Sequence, residues 1–405
     1  MPFGTAMRAE WAFDPGVTYI NHGTVGAPPH RVLVAQQAIR DEIERHPSRF
    51  LLRDASGLVG VPRSEPTRVR RAAIEVAKFV GSRPEDLVLV DNATTGTNTV
   101  LRALPLAPGD EILVTDHAYG AVARTVAFIA HERQAIVRTV RVPFPPFSAA
   151  GLVKAVEGAI TPRTRIAVLD HITSESALVF PLAELAAVCR KRGVPVLVDG
   201  AHAPGMLPLN LPALGVDWYT ANLHKWAHAP QSVGLLWVTP ERQADLHPLC
   251  ISWGYGQGFL AEFDWIGTRD PSAWLAAPAG IQFLHELGFD AQRRANHDLA
   301  WSAATMLAER WGTTIPAKES EVGSMVTLPL PPSLGADASA AARLRDALLF
   351  DHNIEVQLHA GYGQLWTRIS AQIYNVMDDY VRFADAINAR VAPAADSRAR
   401  LQNPV

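Results

Sequence analysis

Asp199 and Lys225 are the two side chains of this sequence whose types and settings point to joint chemistry. Asp199 closes the apolar run Val194-Pro-Val-Leu-Val198 and is followed by Gly-Ala-His202, and Lys225 lies in Asn222-Leu-His224-Lys225-Trp226. A short β-branched run of that kind reads as a buried parallel strand, and ligands of open α/β sheets collect at its carboxyl end. A second run at 216–220 leads into Lys225 and a third at 234–238 follows it, so amine and carboxylate can share one sheet edge. An amine there can bind an aldehyde as a Schiff base. A carboxylate can keep a pyridine nitrogen protonated, so that the ring accepts carbanion electrons. Together these are the two halves of a pyridoxal phosphate site. Alone, an Asp-Gly after a strand is commonly a turn and a single lysine is usually solvated; the chemical reading rests on the pair.

Further residues fall where the same cofactor would need them. Asp91-Asn-Ala-Thr-Thr-Gly-Thr-Asn follows a strand-like run and opens a helix. Ala93, Thr94 and Thr95 are therefore expected to meet its phosphate, with plain helix capping as the structural alternative. His117, in Thr115-Asp-His-Ala-Tyr119, is expected to stack on the ring. Thr173 and Ser174 end the run that begins at Arg165, and His202, three beyond Asp199, is placed to reach the ring hydroxyl. Each could instead be a satisfied loop residue.

The elements that must position these groups alternate. Strand-like runs at 87–90, 111–114, 135–141, 165–169 and 194–198 are separated by helical stretches, the pattern of a parallel sheet with covering helices. One such helix, 181–192, has an apolar stripe, basic residues in its last turn and Gly193 as its stop. Past Pro271 the texture changes to long amphipathic helices at 277–287, 291–310 and 338–350, with a strand-like run at 323–329, suggesting a smaller α+β domain. The expected division is an N-terminal segment 1–20 packing on the small domain, a large cofactor domain 21–270, a small domain 271–392 and a flexible tail 393–405.

With 405 residues, 48% of them hydrophobic, the chain can bury a core large enough for two domains. A net charge of −3 without a long Lys/Arg run argues against nucleic acid or an anionic membrane as partner. Two cysteines without CxxC spacing exclude a disulfide framework, and no apolar run reaches membrane-spanning length. A cytoplasmic enzyme acting on a small molecule is the expectation.

Taken together the motifs resemble the class V aminotransferase-like group of fold type I pyridoxal phosphate enzymes, nearest its isopenicillin N epimerase-like branch. The residues that carry the resemblance run from Tyr19-Ile-Asn-His-Gly-Thr-Val-Gly-Ala-Pro28 through 91–98, 116–120, 199–202 and 222–226 to Gly267-Thr-Arg-Asp270 and Thr367-Arg-Ile-Ser370. The fold it implies is α/β, a large domain with a mainly parallel seven-stranded sheet and a smaller α+β C-terminal domain. It implies Lys225 as the Schiff-base lysine, Asp199 on the pyridine nitrogen, His202 beside the ring hydroxyl and His117 on the ring. Thr95, His224 and Asn222 would surround the phosphate, with Asn222 standing where relatives carry serine. Thr268 would reach across a homodimer interface to the partner's phosphate, making the active sites shared. Arg368 would grip the substrate α-carboxylate, with Asn21 and His22 also at the substrate. The loop His359-Ala-Gly-Tyr-Gly363 lacks the nucleophilic cysteine of sulfur-mobilising relatives, which argues against a cysteine desulfurase.

The implied activity is epimerisation of an amino acid through Lys225; C–S lyase chemistry on a cysteine conjugate or sulfoxide is the alternative, with transamination behind. Epimerisation needs a second acid on the face away from Lys225, for which His22, His117 and Tyr119 are candidates. Arg45, Arg49, Arg53 and Arg269 could line the substrate mouth, although arginines are more often surface ion-pair partners. A metal-dependent hydrolase built on Asp199, His202, His224 and His228 is a remote rival: His224 and His228 have i, i+4 spacing, but a lysine beside a divalent cation is unfavourable.

Overall fold

The computed structural model describes residues 3–60 and 64–391; the expected tail 393–405 lies outside them. A two-residue strand, β1 (Thr18–Tyr19), comes first. The large sheet then uses β2 (Leu87–Val90), β3 (Glu111–Thr115), β4 (Ile136–Val140), β5 (Thr164–Asp170), β6 (Val196–Asp199), β7 (Trp218–Asn222) and β8 (Gly234–Val238). Their order is β2-β8-β7-β6-β5-β3-β4, with β8 alone antiparallel to its neighbours. This is the mainly parallel seven-stranded sheet expected. β2, β3, β6, β7 and β8 are buried along their whole length because helices cover both faces. β4, at the edge, is mostly exposed.

Helix Arg68–Phe79 buries Val69, Ala72, Ala73 and Val76 at helical spacing, and Leu182–Lys191 buries Leu182, Leu185, Ala186 and Cys189 in the same way. The helix expected at 277–287 begins earlier, at Ser272, and runs through Pro278 to Leu287. Apolar positions on both sides of Pro278 are buried, among them Trp274 and Ile281.

The second sheet has the order β11-β12-β9, from β9 (Met325–Pro329), β11 (Gln357–Gly361) and β12 (Gln364–Ser370). Helices Phe289–Trp311, Ala338–His352 and Met377–Val391 share its core, which includes Leu307, Leu344, Phe383 and Ile369. Between them β10 (Ile354–Glu355) pairs in parallel with β1. Met7, Trp11 and Tyr19 accordingly pack with Phe283, Ile373 and Tyr374. Among the described residues no helix is long and apolar enough to cross a membrane.

Candidate active site

A cavity of about 220 Å3 opens at the carboxyl ends of β5 and β6, with Asp199, Lys225, His202, Thr94, Asp170 and Tyr119 among its walls. Asp199 is the last residue of β6, in register with Thr220 of β7, and Lys225 sits in the turn just past the end of β7. That turn is pressed against residues 21–26. A Cβ on Gly26, whose φ is +70°, would stand 1.9 Å from the His224 carbonyl oxygen, so only glycine permits the approach.

Lys225 is buried, and burial lowers its amine to about 7, helped by the Arg368 charge and opposed by Asp199. Its Nζ lies 3.3 Å from His202 Nε2, while Trp226 Nε1–H donates to His202 Nδ1 at 3.5 Å. A neutral imidazole that accepts at Nδ1 carries its proton on Nε2, so Nζ accepts at this contact in the amine's neutral form, which shares the range around pH 7 with the ammonium. Burial first, then the Lys225 charge, pushes His202 well below the usual imidazole range, in keeping with that tautomer. An exposed lysine reacts only as pH approaches about 10.4. Capture of the aldehyde by the apo-protein is therefore expected to rise through pH 7 and be flat by about pH 8, followed by stopped-flow absorbance.

Asp199 is buried and accepts the Ala201 N–H at 3.0 Å. Helix Ala93–Ala103 points its start at the same cavity. Asn222 Oδ1 accepts the Ala93 N–H at 2.8 Å, Asn92 Oδ1 the Thr95 N–H at 2.9 Å, and Asn92 O the Gly96 N–H at 3.1 Å. The Thr94 N–H is left, among the described residues, without a protein acceptor, at the positive end of the helix. A Cβ on Gly96 would lie 2.0 Å from Thr220 Oγ1, so glycine lets this helix start rest on β7. An open helix N-terminus, a buried carboxyl group and a buried neutral amine around one cavity fit a ligand with a phosphate, a ring nitrogen and an aldehyde.

Arg368 lies on β12, in register with Thr327 of β9 and Gln357 of β11. It is 2% exposed and donates to Ser174 O at 2.6 Å, Thr24 Oγ1 at 2.8 Å and Asn21 Oδ1 at 3.5 Å, and its buried Nε has no partner. Its present acceptors are neutral oxygens, and Thr24 and Ser174 line the cavity. Burial lowers the guanidinium to about 10.

The other expected site residues divide between the cavity wall and positions outside it. Ala93, Thr94, Ser174, Asn222 and His224 line the cavity. Thr95 does not; its hydroxyl turns back to Asn92 Oδ1 at 3.2 Å. Thr173 is a turn residue, accepting the Leu178 N–H and bonding Ser176. His117 is outside the lining, its ring nitrogens 2.7 Å from Ser176 Oγ and 2.7 Å from Tyr362 Oη, with Phe144 packed against it edge to face. His22 is fully buried and braces the lysine turn, with Nε2 2.9 Å from Lys225 O and Nδ1 2.9 Å from Tyr374 Oη. Both of its ring nitrogens are thus taken up by protein partners. Losing both bonds in His22→Ala is expected to cost about 3 kcal/mol, read as a lower denaturant midpoint.

Arg269 is not at the cavity: it pairs with Asp91 and lies over the Trp274 ring. Arg49 and Arg53 line a separate hollow, Arg45 is outside the cavity lining, and Thr268 is exposed and likewise outside it. His224 and His228 do not share a helical face, because 223–228 is a turn region, and His228 is packed among Trp11, His22 and Phe283. Among the described residues no group of three His, Cys, Asp or Glu could hold a metal ion. Sequence reasoning missed Asp170 and Thr24, both in the cavity wall. Asp170 carried the same signal as Asp199, a carboxylate closing an apolar strand.

The sequence model described as Aminotransferase class-V matches residues 65–357. Isopenicillin N epimerase of Streptomyces clavuligerus is 34% identical, over 94% of this chain and 97% of its own. L-cysteine desulfhydrase of Arabidopsis thaliana is 31% identical, over 93% of this chain and 88% of its own. Among solved structures, a mutant of C-DES with glycine covalently linked to its pyridoxal phosphate cofactor superposes with a TM-score of 0.80 at 22% identity, covering 94% of this chain and 98% of that one.

Proposed function

Since the chain belongs to the class V aminotransferase family, we propose that it is a pyridoxal phosphate enzyme whose reaction is β-elimination from a sulfur amino acid, a C–S lyase. The observation that carries this reading is the single buried lysine among the described residues of the cavity wall, its amine lowered to about 7, while both imidazoles considered for the opposite face, His22 and His117, have their ring nitrogens engaged. Elimination needs only one base at the α-carbon.

When bound, pyridoxal phosphate supplies an aldehyde for the amine and a ring that takes up the electron pair left on the α-carbon. The protein's own groups do the rest. The Thr94 N–H and the start of its helix hold the phosphate. Asp199 keeps a proton on the ring nitrogen. Lys225 Nζ, lowered to about 7 and so available as a base around neutral pH, removes the α-proton. Arg368 would exchange Ser174 O and Thr24 Oγ1 for the two oxygens of the α-carboxylate. Loss of that pair is worth about 3 kcal/mol, so Arg368→Ala is expected to raise KM about 10²-fold with a smaller change in kcat, measured by steady-state kinetics.

Epimerisation is the second reading, favoured by Tyr119, a half-exposed phenol in the cavity wall at the start of helix Gly120–Arg133 and the remaining acid candidate for the opposite face. The test supplies L-cysteine and cysteine conjugates in deuterated water and follows pyruvate release and α-proton exchange together. Pyruvate release supports the lyase, and exchange with inversion but no pyruvate replaces it with the epimerase. The exposed Thr268 suits the further proposal of a homodimer in which each copy serves the other's phosphate; light scattering of the purified protein tests it.

A further inference from the structure

One side chain in the cavity wall has no part in the chemistry above. Asp170 closes β5 as Asp199 closes β6, and the two are register partners on adjacent parallel strands. Their side chains therefore leave the sheet on the same face, from backbones roughly 4.8 Å apart. Both are buried, at 3% and 4% exposure, and both line the cavity.

Their surroundings differ. Asp199 has the Ala201 N–H and the Lys225 amine to stabilise its charge. Asp170 has the Tyr119 backbone N–H, offered from the start of helix Gly120–Arg133, and among the described residues no ion-pair partner. The other titratable groups of the cavity add no cation for it. His202, from the segment after β6, and His224, from the turn after β7, are held neutral by burial, His224 at about 4. Lys225 answers Asp199, and Arg368, on the second sheet, is bonded to Ser174, Thr24 and Asn21. Two neighbouring buried carboxyl groups with one such amine, beside Asp199, cannot both ionise without leaving an uncompensated charge in the interior.

We propose that Asp170 is a second acid of this site, holding a proton toward the cavity beside an ionised Asp199, so that the pocket carries one negative charge and Asp199 keeps it for the ring nitrogen. Asp170 acts through Asp199 and is in that sense a positioning residue: an ionised Asp170 would force the proton onto Asp199 and dissolve the contact with the ring. Burial and the Asp199 charge push the Asp170 carboxyl well above the usual carboxylate range, whereas Asp199, also raised by burial, is pulled back by the Ala201 N–H and Lys225. The inference rests on the cofactor reading of the site.

Infrared difference spectroscopy of the cofactor-loaded enzyme at neutral pH tests it. The carbonyl stretch of a protonated carboxyl group is expected in the wild type and lost in both Asp170→Asn and Asp170→Ser, the second variant serving if the first does not fold. A loaded wild type without the band, or variants that retain it in full, would overturn the inference alone. A protein that takes up no cofactor, seen by the absence of a visible absorption band, would overturn the functional reading and this inference with it.

Discussion

Lys225→Ala is expected to lower kcat by about 10⁴-fold, the upper range for loss of a positioned base, and to leave cofactor bound only non-covalently. The size follows from how alone this amine is. No other lysine lines the cavity, and His202 and His224 are held neutral by burial, so nothing inherits its proton transfer. The turn itself should survive, because it is braced through backbone atoms, the Lys225 carbonyl to His22 and the His224 carbonyl against Gly26. Borohydride treatment followed by mass spectrometry should find the label on Lys225 in the wild type and none in the variant. Full activity in Lys225→Ala would end the mechanism.

Asp199→Asn should lower kcat by about 10²- to 10³-fold while cofactor remains attached, the scale seen when one preorganised electrostatic partner is removed. Asparagine has the shape of aspartate and can still accept the Ala201 N–H, so the fold at the end of β6 persists and the loss is electrostatic. The amide cannot carry the negative charge that keeps the ring nitrogen protonated. The visible band should survive with an altered maximum, and an unchanged kcat would remove Asp199 from that role.

Much of this arrangement could be read before any coordinates. The runs that became β2, β3, β5, β6 and β8 announced themselves by short, largely apolar composition, and the strand-end rule found Asp199. What escaped depended on partners that a residue type does not name. Arg269 reads as a free cation until Asp91 and Trp274 are seen beside it, and His22 reads as an acid until Tyr374 and the Lys225 carbonyl occupy its two nitrogens. Thr95 looked like a phosphate ligand because threonine suits both an anion and a cap, and here Asn92 claims it. Asp170 was passed over though it repeats the setting of Asp199, since its neighbour in register becomes visible only once β5 and β6 are paired. Pro278 masked the first turn of its helix, where buried apolar positions on both sides outweigh one missing hydrogen bond.

The contact between His22 and Tyr374 joins positions 352 apart in the chain, and β1 finds its strand partner at Ile354 and Glu355. During synthesis the opening segment must therefore wait, with Trp11, Tyr19 and His22 lacking their final neighbours, until nearly everything else has emerged. Closure over so long a loop belongs to the slow part of folding. The lysine turn, built early within the large sheet, would acquire its brace last, which makes the ability to hold the reactive amine in place a property of the finished chain rather than of the sheet that carries it.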